Sequence, residues 1–230
     1  MLHLELLRHL INKDLALFGY EKSKFGILSP EIMDRLFSAP YLMNQILGFT
    51  ALHLSIIYPT RKQEFRDRAS QLRAQAFTLF RLEQPTIDVE NCLTVFLFTS
   101  IRAFHVFSEK MTFCREDFGD FLHDFIEIFH LHQLVREVTN FSWRFLLDSP
   151  LKNLLELEES ALIQEDLTVE CSELLALVSS ASIDPSARET FLEAIKSLQV
   201  AINASQRNHA DQSTIGPIIS WLVVVPPQLS

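Results

Sequence analysis

The chain has 230 residues, of which 48% are hydrophobic, and a formal net charge of −9. That much apolar surface can offset the conformational entropy of folding one substantial core, and the acidic balance argues against general binding to nucleic-acid phosphates. Glycine occurs only 5 times against 19 phenylalanines. Sheets need tight turns and tight turns need glycine, so composition predicts long helices around a bulky core.

In chain order, the opening run Met1 to Arg8 sets Glu5 and Arg8 inside an apolar pattern. That predicts an amphipathic helix over about 2–18 and not a signal peptide. Further helices are predicted at about 30–38, 40–58, 61–82, 87–108, 115–140, 150–158, 168–180 and 185–206. Three starts carry a capping side chain directly before proline: Ser29-Pro30, Ser149-Pro150 and Asp184-Pro185. A proline at the first helical position gives up an N–H that has no intrahelical partner anyway. The stretch Leu36 to Thr60 has no charge, but Pro40, Asn44, Gln45, His53 and Pro59 are each costly in hydrocarbon, so it reads as a buried core helix and not a membrane span. Arg61, Lys62, Arg66, Arg68, Arg73 and Arg81 then form a basic cluster, read as a solvated helical face partly neutralised by Glu64 and Asp67. Leu93 to Ile101 has a strand-like composition, yet its apolar pattern continues to Phe107, which predicts a central helix. Polar stretches at 158–167, 179–184 and 203–216 read as loops, and Ile218 to Val225 as a short apolar closing segment. The expected architecture is all-α: an irregular bundle of about eight to ten helices around one Phe-rich core, spanning 1–230 as a single domain.

Candidate chemistry is sparse. Asp117, Asp120, Asp124 and Glu127 recur at i, i+3, i+7 and i+10, one acidic stripe that is either a solvated face or half of a magnesium site. His123, Glu127 and His130 share a helical face and include a single Glu-x-x-His, where a di-iron bundle needs two. His132 lies off that face. Cys92, Cys114 and Cys171 are few, distant and odd in number, which points to a reducing compartment and argues against a disulfide framework or structural zinc. No nucleophile elbow and no glycine-rich phosphate loop is present. Neither a metal nor another cofactor is expected.

Several segments, in order, resemble one family. Glu5-Leu-Leu-Arg-His9 is similar to its opening helix, and Ala39 to Leu54, with Pro40, Leu42, Met43, Leu47, Ala51 and His53, to its most characteristic one. The arginine-bearing helix with Ala69 to Phe80, the buried run Asn91 to Ser100, and Phe121 to Pro150 with Trp143 follow. Together they resemble the C-terminal regulatory domain of fungal zinc-cluster transcription factors of the sterol uptake control type. The six-cysteine DNA-binding cluster that precedes this domain in the family is not in the sequence, and the chain stops at Ser230, where family members usually continue. The resemblance implies a helical domain in the nucleus or cytoplasm that senses an apolar, sterol- or terpenoid-like ligand. Without a DNA reader of its own, it would act through another chain. Phe49, His53, Phe98, Phe104 and Trp143 are the expected ligand-facing residues: large groups on inward-facing helices, for which core packing is the plain alternative. A protein partner, or self-association through the C-terminal apolar segment, is the other expectation. A metal-assisted cyclase or isomerase using Asp120, Asp124 and Glu127 is the alternative function.

Overall fold

The computed structural model describes residues 2–12, 29–113, 117–152, 155–156 and 170–207. These contain eight α-helices, one 3₁₀ turn and no strand. By internal packing they fall into two compact units, the second beginning after Lys152.

The first unit holds α1 (Leu2–Asn12), α2 (Pro30–Ser38), α3 (Pro40–Ile57), α4 (Lys62–Glu83), α5 (Cys92–Phe113) and α6 (Phe118–Leu147). Ser29 caps α2 as its sequence foretold, its hydroxyl accepting from the Ile32 N–H with Pro30 at the first helical position. One residue, Ala39, separates α2 from α3, and Pro40 restarts the helix. Helix α4 ends at Gln84, held in the left-handed region at φ 43°. Between α4 and α5, Asp88 and Asn91 lock a turn. The Asp88 carboxylate accepts from the Glu90 and Asn91 N–H groups, and the Asn91 carbonyl accepts from the Asp88 N–H. This local bonding starts α5 at Cys92, five residues later than predicted.

Helices α3 and α5 are buried around most of their circumference. Helix α5 is long and apolar enough to cross a membrane, but 67% of its most apolar window is buried inside the protein, the pattern of a core helix. The closest packing in the unit is α3 against α4. Phe65, Ala69, Leu72 and Ala76 of α4 recur at i, i+4, i+7 and i+11 and are all buried, so one stripe faces inward. The first three meet Leu47, Ala51, Leu52 and Leu54 of α3 and Leu6 of α1 in one apolar cluster. Gly48 permits this approach: a Cβ there would stand 3.3 Å from the Ala69 carbonyl oxygen and from Leu72 Cβ, and 3.4 Å from the Arg73 nitrogen.

The basic cluster is bonded into the fold. Arg61 forks between Glu5 of α1 at 2.7 Å and Glu64 at 2.8 Å, its guanidinium over the Phe65 ring. Lys62 and Arg66 lie over Phe113 at the end of α5, Arg68 donates to His3, and Arg73 pairs with Glu109 of α5 at 2.6 Å. The basic face is in part exposed and neutralised by Glu64, as expected from sequence, and it also ties α4 to α1 and α5. Helix α5 runs past its predicted end near 108, where Glu109 pairs with Arg73 and Lys110 with Asp124.

The acidic stripe on α6 is also altered by its neighbours. Asp117 and Asp120 are exposed, but Asp124 is buried. Its carboxylate accepts from Lys110 of α5 at 2.5 Å, and Glu127 lies 3.6 Å from the same ammonium. The continuous solvated face expected from spacing is thus interrupted by a helix-to-helix ion pair. Helix α6 runs to Leu147, past the predicted end at 140. Thr139 bonds back to the Val135 carbonyl, Ser142 is buried, and Leu146 faces the core. Its outer side leaves Leu122, Ile126, Leu134, Phe141 and Phe145 exposed, an apolar stripe at helical spacing.

The second unit is described through α7 (Ser172–Ser180) and α8 (Pro185–Arg207), which pack on each other. Asp184 caps α8, its carboxylate accepting from Ser186 and Ala187. Gln199 ties the two ends together, accepting from the Cys171 N–H at 2.7 Å and donating to Glu170 and Asn203. The helix predicted at 185–206 is α8, and the first residues of the polar stretch 203–216 belong to its last turn, with Asn203, Ala204 and Ser205 buried. The helix predicted at 150–158, apart from a few residues, the loop at 158–167, Cys114 and the segment Ile218–Val225 lie outside the described residues.

Because Gly48 meets backbone atoms, Gly48→Val is expected to lower stability by about 1–3 kcal/mol. Gly48→Ala should be nearly neutral, since its gain of roughly 1 kcal/mol in helix propensity opposes the crowding. Urea-denaturation midpoints of the two variants check this ordering.

Candidate functional site

Helix α3 carries Tyr41, Gln45, Phe49 and His53 at i, i+4, i+8 and i+12, a stripe alternating aromatic and polar groups along one side. Across from it, α5 contributes Phe98 and His105, two turns apart. At the α2-proximal end the seam is aromatic. Phe98 stacks on Phe80 of α4 with centroids 4.3 Å apart, and Tyr41 meets both rings edge-on at 5.2 and 5.3 Å. Such contacts are favourable beyond the area they bury. Burial pushes the Tyr41 hydroxyl up to about 12, so it stays a neutral phenol.

One turn along lies the least expected feature. Gln45 and His105 are both fully buried, and Gln45 Nε2 lies 3.4 Å from His105 Nδ1. An amide NH₂ can only donate, so Nδ1 is the acceptor and the neutral ring carries its proton on Nε2. Burial, then the charges of Arg73 and Arg102, hold the imidazole down at about 3. After this one long bond, the pair still has unmet capacity: neither Gln45 Oε1 nor His105 Nε2 has a hydrogen-bond partner. An unmet buried donor or acceptor costs about 1–3 kcal/mol. The Phe49 ring stands 6.1 Å from the imidazole, so the pair is set against aromatic surface.

At the α1 end, His53 Nδ1 lies 3.1 Å from His9 Nε2, the rings tilted by 41°. Burial lowers the His53 pKa, so one neutral imidazole can donate to the other. His132 on α6 is buried as well, its Nδ1 donating to the Ile128 carbonyl at 2.8 Å while Nε2 lacks a partner.

Of the five residues expected from sequence, the structure puts Phe49 and Phe98 along this α3–α5 seam, and His53 on the same α3 stripe but against His9 of α1. Phe104 is half-buried on α5, but adjacent to His105 in sequence it points about 100° around the helix from it. Trp143 is half-buried on α6, and among the described residues no ring contact joins it to the seam. The sequence reading missed Gln45 and His105. Gln45 stands one turn before Phe49 on the same stripe, so a polar residue in register with two chosen positions was the available signal.

Other candidates fare differently. His123, Glu127 and His130 are exposed on α6, and among the described residues no group of three or more His, Cys, Asp or Glu side chains is arranged to hold a metal. The Cys92 and Cys171 thiols are buried, and burial raises the pKa of each, the opposite of an activated nucleophile.

Fold and seam define a class: an all-α protein with a neutral polar pair, incompletely bonded, buried between aromatic helices. No protein-family model matches the chain, and no curated protein or solved structure matches it either.

Two outcomes test this electrostatic picture. Replacing His105 alone by Phe strips Gln45 of its one partner and is expected to cost about 1–3 kcal/mol. The pair Gln45→Leu with His105→Phe removes every unmet group, and should recover most of that loss in a double-mutant cycle. The second test is pH. An unfolded histidine takes its proton near 6.5, while folded His105 resists until about 3. Across that window the unfolded chain binds more protons, so stability is full above pH 6.5 and falls as pH drops, by up to ~1.4 kcal/mol per unit. Burial of His53 and His132 acts in the same direction. Urea midpoints at pH 7 and pH 5 should therefore differ, and the difference should shrink in His105→Phe.

Proposed function

We propose that the protein is a regulatory binding domain that takes up an apolar small molecule of sterol or terpenoid size and acts through another protein. The observation that supports this reading is the Gln45–His105 pair, with an unmet acceptor and an unmet donor buried beside Phe49. Binding sites for apolar molecules are mostly hydrocarbon with a few polar groups that fix orientation. A ligand hydroxyl is the smallest group offering a donor for Oε1 and an acceptor for Nε2–H. A neutral imidazole suits such a ligand, because no charge has to be desolvated. Phe49, His53 and Phe98 are the neighbouring contacts. The partner protein has support of its own in five large apolar side chains exposed on α6, Leu122, Ile126, Leu134, Phe141 and Phe145, since exposed apolar surface of this kind marks interaction sites. The alternative of a metal-assisted enzyme is not advanced, because Lys110 already engages Asp124 and Glu127.

Native mass spectrometry of the purified full chain after incubation with a lipid extract tests the reading. A retained neutral molecule of defined mass is expected, and it should be lost in the Gln45→Leu, His105→Phe double variant while circular dichroism stays helical. A chain that emerges empty, or a double variant that holds the molecule equally well, would overturn it.

A further inference from the structure

A second feature lies between α4 and α5, outside that seam. Arg73, Phe77 and Arg81 recur at i, i+4 and i+8 on one face of α4, and Arg102 and Glu109 lie two turns apart on α5. The Phe77 ring is shared by two guanidinium groups: Arg102 Cζ is 4.2 Å from its centroid and Arg81 Cζ 5.8 Å. Arg73 lies close enough for its charge to act on Arg102. Arg81 and Arg102 thus share one ring, and the nearby Glu109 carboxylate is taken by Arg73 at 2.6 Å. Glu127 of α6 also acts on Arg102, but its carboxylate lies 3.6 Å from Lys110.

Arg102 is therefore the unusual member. It is half-buried, with burial and Arg73 both working against its charge, and among the described residues no carboxylate bonds it. A guanidinium offers five N–H donors in a planar fork suited to an oxyanion. Stacking on Phe77 occupies the face of that group and leaves its donor edge unused. The ring itself is 39% exposed, so dry surface adjoins the cationic edge.

We propose that the Arg102–Phe77–Arg81 cluster binds the oxyanion of an amphipathic molecule, a carboxylate or a phosphate ester on a hydrocarbon chain. Arg102 and Arg81 take the oxygens, and the first carbons rest against Phe77. An anion supplies the carboxylate-like partner that Arg102 lacks among the described residues, which a neutral ligand cannot do. The assignment does not depend on the Gln45–His105 reading, because none of Arg81, Arg102 and Phe77 bonds either residue of that pair.

The test is calorimetric titration of the full chain with decanoate, decyl phosphate, decanol and inorganic phosphate, each below its micelle-forming concentration. Saturable binding of decanoate or decyl phosphate is expected, weakened by salt and clearly tighter than decanol or inorganic phosphate. Whichever of the two amphiphiles binds tighter identifies the head group. Arg102→Gln should reduce affinity on the order of tenfold or more, the scale of one charge-assisted contact. Arg81→Gln should reduce it less, and Arg144→Gln on exposed α6 not at all. His105→Phe should leave this titration unchanged, which separates the two sites. Equal binding of decanol, inorganic phosphate binding as tightly as the amphiphiles, or full affinity in a helical Arg102→Gln variant would each overturn the proposal.

Discussion

The approach of α3 to α4 at Gly48 is the contact on which the rest of the first unit depends. With no Cβ at that position, the α4 backbone comes within van der Waals reach of α3 at Ala69, Leu72 and Arg73. Dispersion weakens steeply with separation, so a gap of even half an ångström here would forfeit contact along the whole Phe65–Ala76 stripe. The same approach fixes where α4 presents its outer residues. Phe80 meets Phe98 and Tyr41, Arg73 reaches Glu109, and Arg61 reaches Glu5. A glycine, which weakens a helix taken alone, strengthens the packing of two.

Helix α3 carries a conflict that its packing does not resolve. It is charge-free and nearly enclosed, yet Gln45, Thr50 and Ser55 are buried within it. Thr50 and Ser55 satisfy themselves by bonding back to the Ile46 and Leu52 carbonyls, which confines their effect to the helix. Gln45 is too long for that and reaches across to His105. A polar side chain that must find its partner on another helix fixes the register between the two, and a hydrophobic residue of similar size would not. What remains unbonded there is a stability cost, and it falls one turn from the Tyr41–Phe80–Phe98 cluster.

Much of this architecture was legible in the chain. Scarce glycine and the Ser29-Pro30 and Asp184-Pro185 pairs gave the all-helical class and two helix starts, because capping is local and needs no partner. The errors share a physical origin. The helix ends predicted near 108 and 140 fall short of Phe113 and Leu147, because Glu109 and Lys110 pair with residues of other helices and Ser142 is buried. The ties from the basic run at 61–81 to Glu5 and Glu109 likewise depend on residues far away in the chain. Spacing reveals which residues share a face and not what opposes that face. At the seam, aromatic size singled out Phe49 and Phe98 but passed over Gln45 and His105, whose significance comes only from each other.

The buried thiols have a consequence for following the molecule in solution. Cys92 belongs to the first unit and Cys171 to the second, and burial suppresses the thiolate of each. A thiol in that condition reacts with an alkylating reagent only during the moments when its surroundings open. Each cysteine is thus a clock for its own unit. Labelling read peptide by peptide would time the opening of the two units separately, with no probe introduced.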